Sequence, residues 1–306
     1  MKHKIFIDGR EGTTGLRIES RLALREDVEI LQIDPELRKD PAERKRLIGE
    51  SEITFLCLPD AAAIESCELA KGTSARIIDA STAHRIDPAW VYGFPELSKE
   101  RRAAIRTASR VAVPGCHASG FICLAYVLVQ KGIISPDAPL TCHSLTGYSG
   151  GGKKMIATYE SSERPLHDEL ETPAFYALGL THKHLPEMTV ISGLKNPPVF
   201  TPIVGDYYKG MTVAIPLPGT LMTKKYTPDD IRAVFSEFYA DEENIKVNPE
   251  APQGSVYADG CNDTDGIEIF VSGTPERTLL LARLDNLGKG SSGAALQCMD
   301  IMLEGR

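Results

Sequence analysis

A rhythm in the first 113 residues constrains the fold more than any other feature. Short apolar runs recur at 4–8, 28–34, 53–58, 76–79 and 110–113, and longer stretches of helical character separate them. Runs this short and this apolar fit strands buried on both faces. Strands alternating with helices imply βαβ units and a parallel sheet. After about residue 140 the pattern changes. Runs such as 211–215 and 267–271 alternate apolar and polar residues, as antiparallel strands do, and a helical stretch at 229–239 lies between them. This second region reads as a separate α+β domain. The stretch 291–303 follows the turn Gly288-Lys289-Gly290, carries apolar residues at helical spacing and reads as a closing helix.

Two domains also fit the length, 306 residues, at about 150 residues per domain. The charge, 34 − 42 = −8, argues against nucleic acid or an anionic membrane as partner, since both select clustered Lys and Arg. The longest apolar stretch, 121–129, is far short of the roughly 20 residues that span a bilayer. The N-terminal residues turn polar at Asp8 and do not read as a signal peptide. The seven cysteines lack paired CxxC spacing. They read as reduced thiols of a cytoplasmic protein, with no disulfide framework and no metal site.

Within the first βαβ unit, Gly9-Arg10-Glu11-Gly12-Thr13-Thr14-Gly15 follows a strand and opens a helix. Glycines there permit a tight turn and close approach of a pyrophosphate to free helix N–H groups. The spacing is GxxGxxG, because Glu11 replaces the usual middle glycine, so a plain tight turn is the alternative. Asp34, at the end of the second run, stands where an acid would bond a ribose 2′-hydroxyl and favour NAD. Arg38 and Lys39 follow it and could instead meet a 2′-phosphate. For most of the basic residues at 38–46 the simpler reading is a solvated helix face.

Pro114-Gly115-Cys116-His117-Ala118-Ser119-Gly120 joins a strand to an apolar helix. A thiol at a helix N-terminus has its thiolate stabilised by the dipole and by free N–H groups. Cys116 is therefore the candidate nucleophile, against the alternative of a buried structural cysteine. Thr181-His182-Lys183-His184-Leu185-Pro186-Glu187 offers a candidate acid/base, or surface histidines in a loop. Ser149-Gly150-Gly151-Gly152-Lys153-Lys154 is an anion-friendly loop that lacks the GxxxxGK[ST] pattern. Asp79-Ala80-Ser81-Thr82-Ala83-His84-Arg85 places a hydroxyl and a guanidinium after a strand, where ligands bind in such folds. Arg85 could grip a phosphate or form a structural ion pair.

These stretches, together with Gly93-Phe94-Pro95-Glu96-Leu97, Phe200-Thr201-Pro202 and Asp285-Asn286-Leu287-Gly288-Lys289-Gly290, run in one order along the whole chain. In that order the sequence resembles the N-acetyl-gamma-glutamyl-phosphate reductase family, in its shorter form. The resemblance implies an α/β fold with a Rossmann-type doubly wound sheet over 1–116, completed by a C-terminal helix at 286–306. It implies an α+β substrate and dimerisation domain over 117–285. It also implies NADP as cofactor, held by Gly9, Arg10, Glu11, Gly12, Thr13, Thr14, Gly15, Arg38 and Asn286. Cys116 would be the nucleophile, with His184 or His182 as acid/base. Ser81, Arg85, Ser149 and Lys153 would hold the acyl-phosphate substrate, in a homo-oligomer, dimer or tetramer.

The chemistry is coherent. An acyl phosphate acylates a thiolate with phosphate as leaving group, and the thioester accepts hydride more readily than a carboxylate. Three rival readings carry distinct signatures. An aspartate-semialdehyde dehydrogenase would act on a smaller acyl phosphate. A Cys/His thiol hydrolase would need no nicotinamide. A dinucleotide sensor would not need Cys116.

Overall fold

In a computed structural model describing residues 2–165 and 167–304, the chain divides into two units. One is Met1–Pro114 with Ser291–Arg306, and the other is Gly115–Gly290. The cuts therefore fall two residues before and five after the boundaries read from the sequence. Cys116 and the turn at 286–290 go with the second unit because Gly290 packs directly on Cys116.

The first unit holds a six-stranded sheet of β1 (His3–Asp8), β2 (Val28–Leu31), β3 (Ile53–Leu56), β4 (Arg76–Asp79), β5 (Val91–Tyr92) and β6 (Arg110–Ala112). Its order is β2-β1-β3-β4-β6-β5 and all pairings are parallel. Side chains alternate across such a sheet, so β1 sends Ile5 and Ile7 to one face and Phe6 to the other. The first face is covered by α1 (Thr13–Leu22), α4 (Lys99–Thr107) and the C-terminal helix (Gly293–Leu303), which contribute Ile18, Ile105 and Met299. The second is covered by α2 (Pro41–Glu50) and α3 (Asp60–Leu69), through Leu47, Ile48 and Cys67. The sheet is doubly wound, and its order turns back between β1 and β3, the position where such sheets open a ligand crevice. Short β5 carries no sequence signal of its own.

The second unit contains α5 (Cys116–Gln130), β7 (Thr141–Gly147), α6 (Gly152–Tyr159), β8 (Ala174–Phe175), α7 (Leu185–Ser192), β9 (Val199–Gly205), β10 (Met211–Pro218), α8 (Pro228–Phe238), β11 (Ile245–Val247), β12 (Ile267–Thr274) and β13 (Arg277–Leu284). Its sheet order is β11-β12-β13-β10-β7-β9-β8. The expected antiparallel pairing holds for β10 with both neighbours and for β12 with β13, whereas β7–β9 and β11–β12 are parallel. Helix α5 is apolar on nearly all sides because it is buried nearly all round. At Gly120 it touches the sheet so closely that a Cβ would come within 2.4 Å of Val213. Helix α8 starts on a Thr227–Asp230 capping box with Pro228 in its first turn, and buries Ile231 and Phe235. Among the described residues no helix is long and apolar enough to cross a membrane.

Candidate active site

Cys116 is the first residue of α5, behind an extended Gly115 with no side-chain cap. Its first-turn N–H groups are thus available to charge at the thiol. Cys116 is partly exposed. Burial pushes the thiols of Cys67 and Cys261 up to about 11, and those of Cys57 and Cys142 higher still. Gly290 closes one side of Cys116. A Cβ there would lie 2.8 Å from the Cys116 Cβ and 3.2 Å from its Cα, atoms that cannot swing away. Gly290→Ala should therefore displace the thiol. A fall in kcat of about 10²-fold is expected, with NADPH affinity little changed, as steady-state kinetics and cofactor titration would show.

The histidine pair belongs to the same unit. His184 precedes α7 and is buried, and its Nε2 lies 4.0 Å from Glu187 Oε1. The buried Glu187 carboxylate also accepts the Gly115 N–H at 3.1 Å. One carboxylate thus holds the residue before Cys116 and also faces the imidazole, beyond hydrogen-bond distance. His182 is less buried, and its Nδ1 accepts the His184 backbone N–H at 3.1 Å. Its hydrogen is accordingly on Nε2. The two rings meet edge-on at 4.7 Å. Among the described residues no group of three His, Cys, Asp or Glu side chains is placed to hold a metal.

The loop after β7 is built on close backbone approach. Gly147 has no room for a Cβ against the Tyr207 and Tyr208 carbonyls. Ser149 is buried and its Oγ accepts from Asn286 Nδ2 at 3.0 Å, while Asn286 Oδ1 accepts the Gly210 N–H at 2.8 Å. Asn286 thereby fixes the Ser149 loop, a positioning task within the second unit. Lys153 is exposed in the first turn of α6.

In the first unit Gly9 has φ +85°, and a Cβ on it would strike the Cys57 carbonyl at 2.5 Å. Gly15 is packed equally hard on Arg10. Gly12 lies in extended backbone before Thr13, with no side-chain cap, so the first N–H groups of α1 are open to an anion. Thr14 bonds Ser291 at 2.9 Å. Beside the turn lies a cleft of about 410 Å³, lined by Ile33, Pro35, Leu58, Ala62, Arg10, Glu11, Arg38 and Lys39, among others. Arg10 bonds Glu19 and Gln32, and Arg38 bonds Glu11 at 2.5 Å. The glycine cradle and the basic, partly apolar cleft fit a dinucleotide with a 2′-phosphate. Asp34 is not part of this lining; it is exposed and accepts the Glu36 N–H in a local turn. Arg44 departs from the solvated-face reading: it is buried and bonds Asp8 and Ser66.

Ser81 and Arg85 also lie in the first unit, after β4, and Asp79 organises that loop. It accepts from Ser81 N and Oγ and from His84 Nδ1, at 2.6–2.8 Å. His84 stacks on Trp90 at 4.2 Å. Arg85 is buried and donates to the Ala80 carbonyl.

Comparison with known proteins separates the readings. Residues 9–105 match the model of the semialdehyde dehydrogenase NAD binding domain, and 116–286 that of the semialdehyde dehydrogenase dimerisation domain. An N-acetyl-gamma-glutamyl-phosphate reductase of Chelativorans sp. (strain BNC1) is 43% identical over 100% of this chain and 99% of its own length. N-acetyl-gamma-glutamyl-phosphate reductase 2 of Nostoc sp. is 42% identical over 99% of this chain and 97% of its own. The chain belongs to the N-acetyl-gamma-glutamyl-phosphate reductase family. Among solved structures, aspartate semialdehyde dehydrogenase from Francisella tularensis superposes with a TM-score of 0.74 at 13% identity, covering 98% of this chain and 100% of that one. That likeness speaks for the fold alone.

Seen as a member of the N-acetyl-gamma-glutamyl-phosphate reductase family, the chain gathers Cys116, His182 and His184 in one unit, and the Gly9–Gly15 turn with Arg10 and Arg38 in the other. Four site residues have no role in the sequence reading: His117, Tyr176, Glu187 and Gly290. Glu187 has a local signal, three residues after His184 on one helix face. Gly290 stands in a motif, but its packing on Cys116 is not legible there, and Tyr176 has no signal, since only folding brings it to His117.

Proposed function

We propose that this chain reduces N-acetyl-gamma-glutamyl phosphate to N-acetylglutamate semialdehyde and phosphate, with NADPH as reductant, in arginine biosynthesis. The observation that carries the reading is identity above 40% to reductases of that name along essentially the whole chain. A thiol at a helix N-terminus without a side-chain cap, in one unit with a histidine that faces a carboxylate, suits the chemistry. The Cys116 thiolate attacks the acyl carbon, the C–O bond to phosphate breaks, and a thioester forms. NADPH, when bound, supplies the hydride that reduces this thioester. The N–H groups at the start of α5 stabilise negative charge on the acyl oxygen. His184, oriented by Glu187, handles the proton as the hemithioacetal opens to aldehyde and thiol, with His182 as the other candidate. Ser81, Arg85, Ser149 and Lys153 are assigned to the phosphate and the substrate. Gly9, Gly12, Thr13, Thr14 and Gly15 are assigned to the pyrophosphate. Asn286 is assigned a part in the cofactor site through the loop it fixes.

The matched dimerisation domain supports a homo-oligomer, and we assign it as a dimer or tetramer in the cytoplasm, with no nucleic acid or membrane partner. The deciding experiment is phosphate-dependent reduction of NADP with N-acetylglutamate semialdehyde, run beside aspartate semialdehyde. Turnover of the first and not the second is expected; the reverse would reassign the substrate. In the same assay NADP should be preferred to NAD. Arg38→Ala should raise the KM for NADP about tenfold, the worth of one charge-assisted hydrogen bond, and leave that for NAD unchanged. A preference for NAD in the parent would restore the ribose reading of Asp34.

A further inference from the structure

A buried polar chain beside the nucleophile is unused in the steps above. His117 directly follows Cys116 and is only 3% exposed. Its two ring nitrogens have different partners: Nδ1 is 2.7 Å from Ser144 Oγ, and Nε2 is 2.7 Å from Tyr176 Oη. Ser144 is fully buried on β7, and His117 is the partner of its hydroxyl. A buried hydroxyl that wasted its hydrogen would forfeit roughly 1–3 kcal/mol, so Ser144 donates to Nδ1. A neutral imidazole accepting at Nδ1 carries its hydrogen on Nε2. That hydrogen is given to Tyr176 Oη, and the Tyr176 O–H is left to point elsewhere.

The ring is held neutral. Burial first, then the neighbouring His182 and Lys183, bring the His117 pKa down to about 3. A ring that stays neutral keeps Nδ1 able to accept from Ser144. The far end of this polar chain is the Tyr176 hydroxyl, held by the residue that directly follows Cys116. Burial and the nearby Cys116 charge both push the Tyr176 phenol up, so it stays a donor. The Tyr176 ring centroid is 6.1 Å from that of His182.

The backbone around Tyr176 is set with unusual care. Tyr176 follows edge strand β8, and its N–H is held by the Pro202 carbonyl at 3.1 Å. Ala177 and Leu180 have φ +51° and +53°, conformations that cost a non-glycine residue free energy and gather at functional sites.

We propose that Ser144, His117 and Tyr176 form a one-way hydrogen-bond relay that presents the Tyr176 hydroxyl to the acyl oxygen of the substrate at Cys116. The proposal rests on the thioester reading of Cys116. Tyr176 is then a catalytic residue, one donor added to the helix N–H groups. His117 and Ser144 are positioning residues that act through it.

Tyr176→Phe keeps the ring and removes the hydroxyl. It should lower kcat by roughly 10²-fold, the cost of one oxyanion donor, while acyl phosphate without NADPH still leaves an acyl adduct on Cys116. His117→Gln and Ser144→Ala should each lower kcat less. Combined with Tyr176→Phe, each should add no further loss, whereas a merely structural role would multiply the two losses. The limbs of the pH profile should not move in His117→Gln, because the ring does not titrate in the working range. A Tyr176→Phe variant with kcat within about twofold of the parent, in an enzyme whose parent forms the Cys116 adduct, overturns the relay. If the parent forms no such adduct, the thioester reading itself fails, and the proposal with it.

Discussion

Replacing Cys116 by serine is expected to lower turnover by about 10⁴-fold or more, the scale of losing a covalent nucleophile, with fold and NADPH binding retained. The two side chains are close in size, and the site keeps its backbone donors. A serine hydroxyl is far less acidic than a thiol and gives little of the anionic nucleophile at neutral pH, and an oxygen ester resists hydride transfer. In the parent, Cys116 should be the cysteine that iodoacetamide alkylates first near neutral pH, with substrate protecting it. Cys67 and Cys261 are held back by thiols pushed up to about 11, Cys142 by full burial, and Cys57, itself partly exposed, by a thiol that desolvation and the nearby Asp79 and Asp8 push higher still. Mass spectrometry after mixing enzyme with acyl phosphate alone should place an acyl group on the Cys116 peptide. A fully active serine variant, or an adduct elsewhere, removes Cys116 from the mechanism.

The second large effect concerns His184 and Glu187. His184→Ala should cost 10²–10⁴-fold in kcat, the usual worth of a general acid/base, with a smaller loss for His182→Ala. The geometry motivates this order: His184 faces the Glu187 carboxylate, whereas His182 spends Nδ1 on the His184 backbone. Glu187→Ala should act twice. It leaves the Gly115 N–H buried without its acceptor, at a cost of roughly 1–3 kcal/mol in stability. It also frees His184 to turn, so kcat should fall beyond what the lost stability explains. Urea denaturation beside steady-state kinetics separates the two effects. If both histidine variants keep near-normal kcat, the pair is structural.

Much of the fold is legible because the first unit repeats one pattern. Each apolar run from 4–8 to 110–113 contains a strand, and the periods at 211–215 and 267–271 lie within β10 and β12. Strand β5 escapes because two residues carry no period. The parallel pairing of β7 with β9 escapes because register depends on partners far away in the chain. Site residues divide along the same line. Cys116 and the Gly9–Gly15 turn announce themselves through local backbone demands. Arg44 looks like one more surface charge until Asp8 and Ser66 close around it. Asn286 is legible as part of a motif, but its bonds to Ser149 and Gly210 are not, since they join segments over 70 residues apart. Tyr176 meets His117, the neighbour of Cys116, only through a long excursion of chain.

The placement of the C-terminal helix has a consequence for how this chain is made. Met299 and Met302 sit in the same apolar cluster as Ile5, Ile18 and Val111. The face of the first sheet that α1 begins to cover is completed by residues about 290 positions later. On a ribosome the first unit therefore emerges early and stays open on one side until the whole of the second has been synthesised. The second unit, by contrast, is continuous in sequence and can close on itself as soon as it emerges. Order of synthesis and order of folding are thus inverted: the first-made domain is the last to be finished. During that interval its half-covered parallel sheet is an exposed apolar surface, the kind that chaperones shield and that aggregates when they do not.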